Sequence, residues 1–274
     1  MKKINFGLWL MLSAVMSLSA QTFKERVNVS LFSGWEQNNI SDSRYYGLYS
    51  SWFAYKGDRW MIGPYVVGAL SGNDSRTGYN GNAWEVGLGL SSGWYFHHFF
   101  NDKGYATWIG ISGGLKYAAD KGELSQISGS YRGNQKDWLG CFGADFSLWK
   151  KNALAWWPRV HAQFTVQSPL SEKKEAYWNN LPIADPAWDK GYLASLLKVS
   201  LLNIAWGQTY ASPKIIAAHS FSQGDKQSNL GLGAELSLHK PFRDDFFSVY
   251  ALYKISNTKS NRLALGISFN LMSL

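Results

Sequence analysis

Five histidines, one pair of adjacent acids and a handful of charges on strand-like segments are the groups in this chain that could do chemistry. Residues two apart on a β-strand share a face, so a His-x-Ser pair would let an imidazole take a serine proton and create a nucleophile. No histidine has that partner: His97 and His98 precede Phe99 and Phe100, His161 precedes Gln163, His219 precedes Phe221 and His239 precedes Pro241. A hydroxyl supplied by another strand stays open. Asp244-Asp245 sits in a short polar segment that reads as a turn. His161 shares one alternation set with Arg159 and Gln163, which suits either a base or a histidine satisfied within a polar network. Glu85 with Lys116, and Asp145 with Arg159, form two possible ion pairs, and Glu235 stands among glycines on a third segment. Such pairs either fill and register an interior or build a charged constriction that selects solutes. Trp178 and Trp188 either stack on sugars or pack their own loop. No metal-ligand cluster, P-loop or dinucleotide-binding glycine motif has a credible context, so no metal or cofactor is expected.

These groups are carried by strands. From Ala83 to Tyr117, Trp84, Val86, Leu88, Leu90, Trp94 and Phe96 fall on one parity, while Glu85, Gly87, Gly89, Ser91 and Gly93 fall on the other. Tyr105, Thr107, Ile109, Ile111 and Leu115 then alternate with Trp108, Gly110, Ser112, Gly114 and Lys116. Period-2 alternation marks a strand with one apolar face. A turn centred on Phe100-Asn101 sets Glu85 opposite Lys116 and Trp84 opposite Tyr117. A water-soluble sheet would give water a face rich in Lys, Glu and Thr. Gly and Ser with a few paired charges suit a crowded or water-filled interior, and the apolar face then needs lipid.

The first twenty residues fit export: Lys2 and Lys3, an apolar segment from about Phe6 to Met16, then Ser17-Leu18-Ser19-Ala20, so residues 1-20 read as a signal peptide. No Cys follows, which argues against a lipoprotein. Residues 21-274 contain no run of about 18 apolar residues, so a helical membrane protein is excluded. The one cysteine, Cys141, leaves the fold to its ladders and packing. Formal charge is +8, and without Lys2 and Lys3 it is +6. Lys and Arg are scattered rather than clustered, so no nucleic acid is expected as a partner; anionic solutes or phosphorylated lipid head groups fit better. The 14 Trp and 27 Gly suit membrane interfaces and close strand approach.

Strands are expected over residues 24-36, 44-55, 59-70 and the 83-117 hairpin, then 138-149, 154-166, 191-206, 214-222, 229-238, 246-255 and 262-274. In the 44-70 hairpin, Tyr49, Phe53, Tyr55, Ile62 and Val66 are taken as outward over Leu48, Trp52, Met61 and Val67. In the 138-166 hairpin Asp145 should meet Arg159 on the inward face. Residues 191-222 read as two strands, with a helix-containing loop as the alternative. The total is about 12 strands, or about 10 under that alternative, each near the 9 to 11 residues a tilted strand needs to cross a bilayer. Residues 71-82, 118-136 and 168-190 read as long loops and the connections at the other end as mostly short turns, which puts both termini in the periplasm. Apolar-face aromatics form two girdles: Trp84, Tyr117, Trp138 and Tyr253 towards the loops, and Trp94, Phe96, Tyr105, Trp156 and Phe247 towards the turns. Unpaired peptide groups cost several kcal/mol in hydrocarbon, so the first strand must pair with the last.

With its leader, alternating strands and closing segment LALGISFNLMSL, the chain resembles the Gram-negative outer-membrane β-barrel class, across nearly all of residues 21-274. Members commonly finish on an aromatic residue, whereas this chain ends on Leu274 with Phe269 five residues back. The resemblance implies an all-β, closed, antiparallel up-and-down transmembrane barrel in the outer membrane, in contact with its lipids and assembled by periplasmic chaperones and the barrel assembly machinery. Its lumen would carry Glu85, Lys116, Asp145, Arg159, His161, Gln163 and Glu235. The first functional expectation is a small channel for hydrophilic solutes, anionic ones among them. A non-conducting structural or surface-binding barrel and a lipid-modifying hydrolase acting through His161 or His219 are the alternatives. The His-x-Ser pair of outer-membrane phospholipases and the Asp and Asp/His pairs of omptin-like proteases are not found, so no catalytic residue is assigned.

Overall fold

The structure is a computed structural model that describes residues 27–37, 41–56, 60–75, 78–95, 105–126, 129–150, 156–183, 191–222, 226–240, 245–257 and 261–271. The expected signal peptide, Phe96, His97, His98 and Trp188 lie outside the described residues, as do the side chains of Tyr105 and Trp156. Twelve strands build the wall: β1 Val27–Gln37, β2 Ser41–Trp52, β3 Trp60–Ser75, β4 Tyr79–Tyr95, β5 Tyr105–Gln126, β6 Gly129–Lys150, β7 Trp156–Trp178, β8 Tyr192–Leu202, β9 Thr209–Ser222, β10 Ser228–His239, β11 Asp245–Ser256 and β12 Arg262–Asn270. Three short pieces, Tyr55–Lys56, Leu181–Pro182 and Ile204–Trp206, extend the hairpins.

Every wall strand pairs antiparallel with its sequence neighbour, and β12 returns to β1 from Ser30 opposite Asn270 to Gln37 opposite Leu263. The chain is a closed 12-strand antiparallel barrel. Residues 191–222 supply two of the strands, with Tyr192 opposite Gln167 on β7 and opposite Ser222 on β9. Closure gives each strand two neighbours, which is what a β-structure in hydrocarbon demands.

The apolar faces look outward. Leu88 is 66% exposed and Ile215 63%, and Ile111 and Phe164 are exposed as well. The small and charged alternates face in: Gly87, Glu235 and Ser237 are buried. An apolar belt against solvent and a polar interior invert the plan of a soluble sandwich, so the solvent of this belt is lipid.

Two expectations about strand faces and lengths are corrected. On β2 the outward set is Tyr46, Leu48 and Trp52, while Tyr49 turns inward and stacks on Tyr65 of β3 with ring centroids 5.8 Å apart; on β3, Ile62 and Val66 do face outward, as expected. Tyr45 also turns inward. It lies over Gly34 of β1, just as Tyr250 of β11 lies over Gly266 of β12, and Gly34 and Gly266 are themselves opposite each other across the closing seam. A Cβ on either glycine would overlap the tyrosine ring, and the two tyrosine hydroxyls meet over the seam. Aromatic rings therefore fill the interior where glycines leave room, and aromaticity alone does not mark a lipid face.

The second correction concerns the loops. Residues 71–82 are largely ladder, from Ser71 opposite Ala83 to Asp74 opposite Asn80. Residues 118–136 continue the β5–β6 hairpin to Gln126 opposite Gly129, and β7 runs on to Trp178 opposite Tyr131. β5 and β6 have 22 residues each and β7 has 23, about twice what a membrane crossing uses. The end asymmetry lies in strand overhang beyond the apolar belt, longest in β5–β7 and shared by β3 and β4, which reach Asp74 opposite Asn80 and Tyr79 opposite Leu124.

Candidate functional site in the lumen

The expected register of the central hairpin is two residues out. Glu85 lies opposite Ala118 and Lys116 opposite Gly87. A shift of two keeps every side chain on its face. The ion pair survives as a diagonal contact, with Lys116 Nζ donating to Glu85 Oε1 at 3.0 Å. Trp84 likewise faces Ala119, yet its ring still reaches Tyr117 at 5.5 Å, and Tyr117 meets Trp138 at 5.1 Å. Those three form a continuous aromatic strip on the overhang side of the belt. Tyr253 is exposed at the same level, and Trp94 and the Phe247–Phe269 pair, 5.0 Å apart, mark the other side.

The expected Asp145–Arg159 pairing is replaced by a different arrangement. Asp145 is opposite Gln163, and Trp108 Nε1 donates to Asp145 Oδ2 at 2.6 Å. Arg159 Nη1 instead donates to Asp245 Oδ1 at 2.8 Å. Asp245 opens β11 and faces into the barrel, so its reading as a turn residue is wrong. The hairpin turn between β6 and β7 is centred later than expected, and a shift of four in the pairing sum carries Arg159 past Asp145.

Arg159 belongs to a network in which five consecutive strands each give one charge: Arg159 on β7, Lys198 on β8, Lys214 on β9, Glu235 on β10 and Asp245 on β11. Lys214 Nζ donates to Glu235 Oε1 at 2.9 Å and also to Asp245, and Lys198 donates to the other Glu235 oxygen. The side chains of Glu235 and Lys214 are 1% and 6% exposed, whereas Arg159, Lys198 and Asp245 keep about a fifth of theirs. Arg159 and Asp245 stand four strands apart, so their bond cuts across the lumen rather than following the wall. A smaller cluster lies nearer the overhang end, where Glu36 of β1 accepts from Lys254 of β11 at 2.6 Å and Arg262 of β12 at 3.2 Å. Between them sits an interior apolar patch of Ile216, Leu252 and Ala264.

Each histidine among the described residues meets a serine of a neighbouring strand. His161 Nδ1 and Ser147 Oγ are 2.8 Å apart, His239 Nε2 and Ser212 Oγ 2.9 Å, and His219 Nε2 and Ser228 Oγ 3.1 Å. Chemistry at these pairs is limited by access and by facing. Ser212 has no exposed surface and is also bonded to Asn203, so its oxygen cannot reach a carbonyl carbon. His219 sits on the outward set of β9 with Ile215 and Phe221. Ser147 and His161 are direct cross-strand partners inside the lumen, satisfied by each other.

Of the interior residues expected from sequence, Glu85 with Lys116, Asp145 with Gln163, and Arg159 with Glu235 and His161 fall into separate clusters. Glu36, Lys198, Lys214, Asp245, Lys254 and Arg262 were missed. Parity points to several of them: Lys198, Lys214 and Lys254 each sit between apolar outward residues, which is the position of an inward side chain. No group of three or more possible metal ligands occurs among the described residues.

An apolar outer belt, two aromatic levels and a charged interior inside a closed even-numbered ring define an outer-membrane β-barrel. Solved structures agree on the fold. The translocator domain of the autotransporter NalP from Neisseria meningitidis aligns with TM-score 0.56 at 10% identity, over 97% of this chain and 94% of that one. The β-domain of the Bordetella autotransporter Brka aligns with TM-score 0.52 at 15% identity, over 89% and 98%. The KdgM porin covers 88% and 98% at 8% identity with TM-score 0.37. No family model matches the sequence, and no curated protein does.

Proposed function

We propose that this barrel is a narrow channel for small hydrophilic solutes in the outer membrane of a Gram-negative bacterium, with both termini on the periplasmic side. The supporting observation is Gln163, which is exposed although it faces inward beside Asp145, so that water reaches the lumen between the Lys116 cluster and the five-strand network. The interior cations Lys116, Arg159, Lys198 and Lys214 each pair with a carboxylate, so the expected preference for anions is weak. The Arg159–Asp245 crossing is the constriction. Planar-bilayer recording tests this: wild type should give small, steady openings, and R159A/D245A larger ones. Silence from both proteins, folded and inserted, would refute the channel.

A non-conducting barrel is the second reading, favoured by the burial of Glu235, Lys214, Ile216 and Leu252, which fills one side of the lumen. In that case R159A/D245A stays silent and loses only stability. Export through residues 1-20 and assembly by periplasmic chaperones and the barrel assembly machinery belong to the same proposal. A C-terminal epitope tag should be reached by antibody only after the outer membrane is permeabilised.

A further inference from the structure

Immediately beyond the Trp84–Tyr117–Trp138 strip, on the same outward face, the overhanging strands change from apolar to basic. Lys136 of β6 follows Trp138 by two residues and is exposed, and its direct cross-strand partner on β7 is Lys173. Like charges directly opposite each other on a ladder repel, with Cβ atoms only about 5 Å apart. Lys121 of β5 comes in from the other side: Ala119 is opposite Lys136, which leaves Lys121 on the diagonal. Three ammonium groups therefore surround a spot floored by small residues, Ala119 and Ser171, and bounded below by the aromatic strip.

The nearby acids answer only part of this charge. Glu123 is engaged by Lys121 at 2.8 Å and by Arg132 at 3.8 Å, further out along the sheet, and Glu175 lies 3.8 Å from Lys173. Lys136 has no carboxylate partner among the described residues. A basic triad at the height of the aromatic girdle stands where membrane head groups begin, and what would compensate it is a multiply charged anion held at that depth. Small floor residues allow close approach, and long lysine stems let the ammonium groups converge while their methylenes cover the apolar rim.

We propose that Lys121, Lys136 and Lys173 form a docking surface for the phosphorylated head group of an outer-leaflet saccharolipid, whose acyl chains run down over the Trp84–Tyr117–Trp138 strip. The site is on the outside of the wall and is independent of whether the lumen conducts. Its test uses the full barrel in zwitterionic detergent micelles, with retained lipid counted by native mass spectrometry. Diphosphorylated lipid A should bind the wild type at least ten-fold more tightly than K136Q/K173Q, and K136E/K173E should bind it more weakly still. Lipid A stripped of its phosphates should bind wild type and variants alike. All three lysines are exposed, so the variants should keep wild-type heat-modifiable migration. Equal retention of diphosphorylated lipid by wild type and K136Q/K173Q overturns the proposal. Full displacement of the lipid by millimolar inorganic phosphate also overturns it, since it would identify a simple anion site.

Discussion

Replacing Glu235 with glutamine should destabilise the barrel by about 3 kcal/mol, roughly a hundred-fold in the folding equilibrium. The side chain is 1% exposed and holds two lysines, Lys214 at 2.9 Å and Lys198 on its other oxygen. Removing one partner of a buried ion pair costs about 3–5 kcal/mol, because the remaining charge is left uncompensated in a poor solvent. Two features set the value at the lower end. Lys214 keeps Asp245, and Lys198 retains 23% of its exposure and so recovers part of its hydration. The coupling can be isolated with Lys198→Met, since the double variant K198M/E235Q removes a cation together with its anion and should cost less than the two single changes combined by about 1–2 kcal/mol. Equilibrium urea unfolding in phosphocholine vesicles, followed by tryptophan fluorescence, gives all four corners of the cycle. A loss below about 1 kcal/mol for E235Q, or additivity in the double variant, would refute the reading of this network as a tightly buried one.

Gly266→Ala should displace Tyr250 and lower stability by about 1–3 kcal/mol, the usual cost of overpacking, with Gly34→Ala doing the same through Tyr45; thermal loss of heat-modifiable migration reads both. Leu88→Arg, at a position 66% exposed in the middle of the belt, should cost about 2–4 kcal/mol in vesicle-based unfolding, whereas Gln163→Lys, facing lumen water, should change stability little. A soluble fold would reverse that order. On the overhang, the hydrogen bond from Lys121 holds the Glu123 carboxyl below its ordinary value, with Arg132 adding to the effect. A depressed carboxylate stabilises the folded state above its unfolded value and loses that contribution as the pH falls through the folded one. Lys121→Gln should therefore move the Glu123 titration upward, as followed by its carboxyl carbon in NMR.

The wall was legible in the sequence because lipid enforces period-2 alternation: Trp84 to Trp94 puts every large apolar residue on one parity, and Trp138 to Leu148 does so with the one exception of Leu139, which is buried inside. Register was not legible to better than two or four residues. Pairing sums depend on where a turn is centred, and side-chain parity is blind to even shifts, so Glu85 and Lys116 kept their contact while Arg159 moved from Asp145 to Asp245. The overhang was invisible for a different reason. Beyond the apolar belt the outer face of β5–β7 meets water and turns polar, while its buried inner face carries Gly133 and Gln135, so residues 118–136 lose their apolar alternation and read like a loop although the described ones are paired. Tyr49 was obscured by a third effect, since an inward ring stacked on Tyr65, itself seated over Gly89 and Gly114, imitates an outward girdle residue. The five-charge network joins segments nearly ninety residues apart, and no local pattern announces such a contact.

The tyrosine contact above the seam also constrains how the molecule is made. Gly34 and Gly266 come from the first and last strands, so the seat for each ring exists on one side from early synthesis and on the other only once the chain is finished. The Tyr45–Tyr250 contact is therefore a latch that snaps shut only on a complete ring. An intermediate stalled before its final strand docks would show itself by having those two phenols still apart.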